Sequence, residues 1–236
     1  MSDFALARRF QEEAVAICER LTLDGAMLYG VKPWYCDASL IIPGTKRVFM
    51  GINPGGGEKS QQFEEKQGVL SLPYVITGYN SWLDDDVRPE GRGGHGIGVQ
   101  KVFKAFFDDT WETALRSTAC FNLVPFRTPN AKKLTKEAWE LGKIWGLNVV
   151  KEIKPELIIC TGNSESKSAW SAISTSYGMT NLQTVSMPGP KISIKFGRLT
   201  GDPLRSTKLL GLPHLARFRP KALFEWLERN RELVLS

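Results

Sequence analysis

The chain has 236 residues, 42% of them hydrophobic, which is enough for one compact domain with a sizeable core. Lysine and arginine outnumber aspartate and glutamate by 31 to 25, and the formal charge of +6 favours a polyanionic partner without identifying it. No apolar run reaches the ~18 residues of a transmembrane helix, and charged residues interrupt the N-terminal stretch, so we expect a cytoplasmic protein without membrane association.

The cysteines and histidines favour neither a disulfide framework nor a metal site. The four cysteines include no CxxC pair, and there are only two histidines. This spacing fits neither zinc nor a four-cysteine iron–sulfur cluster. We therefore expect no cofactor, no metal and no iron–sulfur cluster, with buried thiols at Cys18 and Cys160. We also expect a monomeric chain.

Helical and strand patterns alternate along the chain. Residues 4–22 have apolar positions at helical spacing and predict an amphipathic helix. Apolar runs bounded by Gly, Pro or Asn predict buried strands. In chain order we then predict a strand at Arg47–Gly51, a helix at Val99–Phe107, a strand at Ser117–Val124, a helix at Thr135–Ile153, a strand at Leu157–Thr161, a helix at Glu165–Ser176 and a strand at Lys208–Leu212.

This alternation predicts an α/β fold. We expect a single domain over 1–236, a three-layer αβα arrangement with a central, mostly parallel sheet of about four strands flanked by helices. Residues 181–199 alternate as a strand does and are interrupted by Pro188-Gly189-Pro190, which predicts a hairpin or an extra strand pair.

Two further segments complete the organisation. Pro220 precedes an amphipathic pattern and fits the first turn of a closing helix. Residues 55–98 are irregular and rich in Gly and polar residues, and a segment of this length inside a domain is usually a functional loop region.

The segment Gly51-Ile52-Asn53-Pro54-Gly55-Gly56-Gly57 follows a predicted strand. In open α/β sheets, ligands bind at the carboxyl ends of strands. The glycines permit close approach of backbone to a ligand, and the Asn53 amide can orient a water molecule. An ordinary strand-to-loop turn is the alternative, as is a phosphate cradle, although the lysine and hydroxyl of a P-loop are absent.

The letters GINPG resemble the first active-site motif of the mismatch-specific uracil and thymine glycosylase branch of the uracil-DNA glycosylase superfamily. They are also similar to the GMNPG version in its single-strand-selective branch. The resemblance implies that Asn53 positions the attacking water, and that Gly51, Ile52, Pro54 and Gly55 contact the substrate.

Three later segments follow in the order of that superfamily. FNLVPFR (121–127) resembles its central strand and implies that Asn122 reads the polar edge of a flipped pyrimidine. KPELIICTGN (154–163) is similar to its KPxxIVxLG strand and turn. LPHLARF (212–218) stands in place of its second motif, which implies that His214 supports charge on the departing base and that Arg217, with Phe218, contacts DNA in the wedge loop.

The second motif departs from the superfamily's HPS pattern. Leu215 replaces the proline, and Ala216 replaces the serine that contacts DNA phosphate in relatives. Residues 58–97 match no branch. These departures leave open both the phosphate contact and the usual preference for uracil.

An aromatic side chain is expected to stack on the flipped base. Tyr74, Tyr79 and Trp82 follow the motif turn and are the candidates. Glu58 and His95 are further candidates in the loop region.

The resemblance implies a monofunctional DNA glycosylase that flips a pyrimidine and hydrolyses its N-glycosidic bond. Because no lysine stands at the motif positions, we expect an abasic site and no lyase step. The base is uracil or a hypermodified cytosine, such as the glucosylated hydroxymethylcytosine of phage DNA, whose excision gives antiviral defence. Two alternatives remain: a glycosylase-like protein that only binds nucleic acid, and an enzyme that processes free nucleosides.

Overall fold

A computed structural model describes residues 4–54, 80–84, 94–129, 131–187, 193–215 and 221–235. One sheet contains six strands in the order β2-β1-β3-β6-β5-β4. The strands are β1 (Arg47–Gly51), β2 (Ala119–Asn122), β3 (Leu157–Thr161), β4 (Met179–Ser186), β5 (Ser193–Leu199) and β6 (Lys208–Leu212). Strands β2, β1, β3 and β6 are parallel, and β5 and β4 continue the sheet in antiparallel pairs.

Helices cover both faces of this sheet. The α-helices are α1 (Ala5–Leu23), α2 (Ser81–Asp84), α3 (Gly94–Phe107), α4 (Trp111–Arg116), α5 (Lys136–Ile153), α6 (Ala169–Tyr177), α7 (Lys221–Arg229) and α8 (Arg231–Leu235). Short 3-10 helices occupy Ala38–Leu40, Asp108–Thr110 and Ala131–Lys133.

Aromatic side chains fill the layer between the sheet and helices α1 and α5. Trp145 of α5 meets the ring of Phe10 of α1 edge-on at 6.1 Å and that of Phe121 of β2 at 6.4 Å. The indole of Trp145 also donates to the carbonyl of Phe10 at 2.8 Å, so this buried polar group is satisfied. Helix α6 packs beside α5 and against β3 and β6.

The opposite face of the sheet carries α3 and α7. Phe49 of β1 lies 5.9 Å from Phe103 of α3, and Phe196 of β5 lies 5.9 Å from Trp226 of α7. Successive strand residues point to opposite faces, which places Phe49 and its neighbour Met50 in different layers. The three-layer αβα prediction is therefore confirmed.

The predicted strand number is wrong, because the sheet has six strands rather than about four. The segment predicted as a hairpin or extra pair forms β4 and β5, and its second strand pairs with β6, which extends the sheet. All four predicted strands and the five predicted helices are present. Helices α3 and α6 start at other residues than predicted. Helix α3 starts at Gly94, before the predicted Val99, because the glycines in 94–98 concealed its first turn in the sequence. Helix α6 starts after Ser168, which forms a reciprocal capping box with Ser171.

The four cysteines are free and buried, as predicted for Cys18 and Cys160. Burial raises the pKa of the Cys160 thiol well above its ordinary value. Across the described ranges, no helix is long and apolar enough to cross a membrane.

Candidate functional site

The predicted site residues converge on the edge of the sheet where the parallel strands end. Gly51 pairs with Asn122, and Thr161 pairs with Leu212, so the ends of the four strands are level. Asn53 and His214 each lie two residues beyond such an end. Because only β3 separates β1 from β6, their strand ends are roughly 10 Å apart at the usual strand spacing.

Hydrogen bonds fix the Asn53 side chain at this edge. Its Nδ2 donates to the Thr128 hydroxyl at 2.8 Å and to the Pro54 carbonyl at 3.0 Å. Thr128 is fully buried. Both amide hydrogens are therefore engaged, and Oδ1 stays available to accept a hydrogen bond, since no donor in the described part of the chain reaches it.

The turn that carries Asn53 is held by the chain beyond β2. The Leu123 amide donates to the Gly51 carbonyl at 3.0 Å, and the Val124 amide donates to the Ile52 carbonyl at 2.8 Å. The Ile52 side chain reaches toward Gly162, where an added Cβ would lie 3.6 Å from Ile52 Cδ1. The turn is thus fixed on both sides, by the ends of β2 and β3.

Asn122, the last residue of β2, places a second side-chain amide at this edge. Its side chain covers Gly51 so closely that a Cβ on Gly51 would lie 2.5 Å from Asn122 Oδ1. Asn122 is only 7% exposed. Its amide makes no hydrogen bond to any described residue, which leaves it available to a ligand.

Three rings form a continuous series over the same edge. His95 lies 5.9 Å from His214 between ring centroids, and Trp82 lies 6.0 Å from His95. Trp82 also meets Phe49 of β1 edge-on at 5.1 Å. The two histidines of the chain therefore face one another, although they are far apart in sequence.

Helix α2 positions Trp82 through its own polar contacts. The side-chain oxygen of Asn80 accepts from the Trp82 amide at 3.1 Å, and Gln100 Nε2 donates to the Trp82 carbonyl at 2.5 Å. Arg116 of α4 holds Asp84 through two hydrogen bonds of 2.7 and 2.8 Å. These contacts fix a helix of four residues that would not be stable alone.

Burial and the neighbouring His214 lower the pKa of His95 to about 4 from an ordinary value of 6.5, with burial the larger cause. The Asp84 pKa is also lowered, chiefly by its hydrogen bonds with Arg116. His95 is therefore neutral at neutral pH, with one ring nitrogen that donates and one that accepts.

Two buried basic side chains belong to chain segments near this edge. Lys32 and Arg127 are each 5% exposed. Their chain segments pair, since the Arg127 amide donates to the Gly30 carbonyl at 2.9 Å. The Lys32 ammonium lies 4.8 Å from the centroid of Tyr35, and that ring stacks on Trp82 at 5.3 Å.

The structure brings together many of the predicted site residues. These are Gly51, Ile52, Asn53, Pro54, Asn122 and His214, with the weaker candidates Trp82 and His95. His95 and Trp82 lie in helices rather than in the loop expected for 55–98. The predicted residues Gly55, Glu58, Tyr74, Tyr79, Arg217 and Phe218 lie outside the described residues.

Sequence patterns did not single out Thr128 or Tyr35. Thr128 follows the FNLVPFR segment by one residue, and only its contact with Asn53 reveals a role. Tyr35 precedes β1, in a segment with no recognised motif.

The site is built from amides, imidazoles and an indole. In the described ranges, no group of three or more His, Cys, Asp or Glu side chains is placed to hold a metal ion. The chain matches no protein-family model, and a search of curated proteins also gives no match.

Proposed function

We propose that this protein is a monofunctional DNA glycosylase that takes one pyrimidine out of the stack and hydrolyses its N-glycosidic bond. The observation that carries the proposal is that Asn53, Asn122 and His214 lie at one edge of the sheet, at the carboxyl ends of β1, β2 and β6. These residues correspond in order to the superfamily positions that hold the water, the base edge and the departing base.

The Asn53 amide suits the positioning of water. Its two hydrogens are used by Thr128 and Pro54, so its orientation is fixed with Oδ1 free to accept from a water O–H. An amide is a weak base, but strong base catalysis is not needed if the sugar already carries positive charge when water attacks. Fixing the water lowers the entropic part of the barrier.

The Asn122 amide suits recognition of a pyrimidine edge. One orientation donates to O4 and accepts from N3–H of uracil, and the flipped orientation accepts from the N4 amino group and donates to N3 of cytosine. The amide alone therefore serves both base classes. An unmatched base would leave it buried and unpaired, which disfavours that base.

The two histidines suit stabilisation of a departing base. Cleavage through an oxocarbenium-like transition state places negative charge on the base, and preformed donors in a water-poor site stabilise that charge strongly. His214 stands at the position implied for this role. His95 is neutral at neutral pH, so it does not place a positive charge beside His214.

The proposal is tested by an excision assay in which abasic sites are cleaved by alkali. The substrates are uracil in single- and double-stranded oligonucleotides, unmodified phage DNA and phage DNA with glucosylated hydroxymethylcytosine. We expect cleavage of uracil DNA or of the modified phage DNA, and loss of at least a hundredfold in Asn53→Ala. DNA binding without cleavage of any substrate would favour a protein that only binds nucleic acid. Turnover of free nucleosides would favour a nucleoside-processing enzyme.

Asn122→Asp separates the two base classes in the same assay. A carboxylate still accepts from the N4 amino group of a cytosine but no longer donates to O4 of uracil. Uracil excision is therefore expected to fall by about a hundredfold, and excision of a cytosine-type base is expected to fall less. Equal losses on both would contradict a direct contact between Asn122 and the base edge.

The absence of a lyase step is tested by borohydride reduction during turnover. Hydrolysis forms no Schiff base, so we expect no covalent enzyme–DNA adduct. A trapped adduct would overturn the monofunctional part of the proposal.

A further inference from the structure

A cavity of about 510 Å³ lies at the other edge of the sheet, where β1, β3 and β6 begin. The lining is strongly basic and contains the cations Lys46, Arg47, Lys154, Arg198, Arg205 and Lys208. Glu156 is the carboxylate among the described residues that line it. We call this surface the basic cavity.

Among these cations, Lys208 gives the strongest evidence for an anionic ligand. Its Nζ is shielded from solvent and has no hydrogen-bond partner within the described chain. Burial lowers the Lys208 pKa, the nearby Arg198 lowers it further, and Glu156 opposes both. An ammonium group in this position gains stability from an anion that supplies the missing acceptor.

The guanidinium groups of the cavity keep most of their charge uncompensated. Arg47 donates to the neutral hydroxyl of Ser117 at 2.8 Å, and Arg198 donates to a backbone carbonyl at 3.3 Å. Within the described ranges, Arg205 is the one guanidinium of the cavity that pairs with a carboxylate, that of Asp202 at 3.2 Å. Six cations therefore face two carboxylates, Glu156 and Asp202, a local excess of about four positive charges.

Position and shape separate the basic cavity from the candidate site. Strand β1 has five residues, which span about 15 Å, and it begins at the cavity and ends at the Asn53 turn. A cleft of about 510 Å³ falls within the size range of small-molecule sites. Lys208 and Arg47 are partly buried in it, whereas its other four cations are exposed.

We propose that the basic cavity binds a small phosphorylated compound of nucleotide size that carries at least two negative charges. Lys208 supplies the central donor, and Arg198 supplies a charge-assisted donor beside it. This proposal does not depend on the glycosylase proposal, because no residue of the carboxyl edge takes part.

The test is calorimetric titration of the full chain with inorganic tripolyphosphate and with ATP at fixed ionic strength. We expect saturable binding of one ligand per chain. Lys208→Met and Arg198→Met are each expected to weaken binding at least about tenfold, since each removes a charged hydrogen bond. Lys136→Met, an exposed lysine at the far end of α5, is the matched control and is expected to change nothing.

Glu156→Gln tests for a gain in affinity, which a misfolded variant would not show. Removing the carboxylate from the cavity lining is expected to tighten tripolyphosphate binding several-fold. The proposal is overturned if neither tripolyphosphate nor ATP binds saturably, or if Lys136→Met weakens binding as much as Lys208→Met. It is also overturned if a single-stranded oligonucleotide binds while tripolyphosphate does not.

Discussion

At the scale of single residues, the candidate site depends on hydrogen bonds that restrict one side chain to one orientation. Asn53 is the clearest case, because Thr128 and Pro54 engage both of its amide hydrogens. A rotated amide would present N–H groups to the water instead of Oδ1, and the water would be held in the wrong orientation. Thr128 is therefore a positioning residue in the proposed reaction.

Thr128→Val removes the hydroxyl and keeps the side-chain shape. We expect kcat to fall about tenfold with little change in KM, because the orientation of the water is affected and DNA binding is not. Thr128→Ser, which keeps the hydroxyl, should retain most of the activity. A rise in KM with unchanged kcat would contradict this role.

His95 makes stability depend on pH. Its pKa is about 4 in the folded protein and 6.5 is its ordinary value, so the unfolded chain binds more protons between these pH values. Stability from this group is present above pH 6.5 and is lost as pH falls toward 4. The loss amounts to about 2 kcal/mol, allowing for partial solvent access.

Urea unfolding of the native chain and of His95→Gln, at pH 7.5 and near pH 4.5, measures this contribution. The native chain is expected to lose more unfolding free energy between the two pH values than the variant, since glutamine does not titrate. If the native chain and His95→Gln lose the same unfolding free energy between the two pH values, His95 is not held neutral by burial.

At the scale of elements, the packing of α5 against the chain beyond β2 fixes the location of Asn122. A Cβ on Gly146 would lie 2.2 Å from the Leu123 carbonyl oxygen, and one on Gly142 would lie 2.6 Å from Val124 Cγ1. The two glycines thus allow α5 to approach a segment whose amides hold the Asn53 turn.

Gly146→Ala tests this close approach. Alanine favours the helix by up to about 1 kcal/mol, but the clash with backbone of Leu123 costs about 1–3 kcal/mol, so a net loss of stability is expected. Lys151→Ala, at an exposed position of the same helix, is the control and should stay within about 0.5 kcal/mol of the native chain. Unchanged or higher stability of Gly146→Ala in thermal unfolding would contradict the close contact.

The elements that hydrophobic periodicity marks clearly were predicted from sequence, and those defined by tertiary contacts were not. Arg47–Gly51, Leu157–Thr161 and Lys208–Leu212 have the predicted bounds because buried parallel strands are continuous apolar runs between turn residues. Helix α2 has only four residues, and its side-chain contacts with Gln100 and Arg116 form only in the folded chain.

Some residues of the candidate site were likewise predicted from sequence, and others were not. Asn53, Asn122 and His214 stand in motifs that the sequence displays, and parallel strand ends necessarily meet at one edge. The contact between the rings of His95 and His214 depends on how α3 packs on the sheet, and no local sequence pattern predicts that packing. The acceptor role of Thr128 likewise depends on a fold contact over 75 positions.

At the scale of the whole molecule, the sheet separates two polar edges. The carboxyl edge carries the amides and imidazoles proposed to act on DNA, and the amino edge carries the basic cavity. The formal charge of +6 is therefore not spread evenly, since six of the cations line that cavity. Overall charge alone does not locate the proposed DNA-binding surface, and our proposal puts it at the carboxyl edge because of the site residues there.

The proposed activity is hydrolysis of an N-glycosidic bond in DNA at the carboxyl edge of the sheet. Mass spectrometry of the products of one turnover measures this directly, by quantifying the released base and the abasic strand together. We expect equimolar free base and abasic site from uracil DNA or glucosylated phage DNA with the native chain. We expect at least a hundredfold less of both products with Asn53→Ala, and near-native amounts with the basic-cavity variant Glu156→Gln. Intact DNA after incubation with both classes, despite stable binding, would contradict the proposed activity.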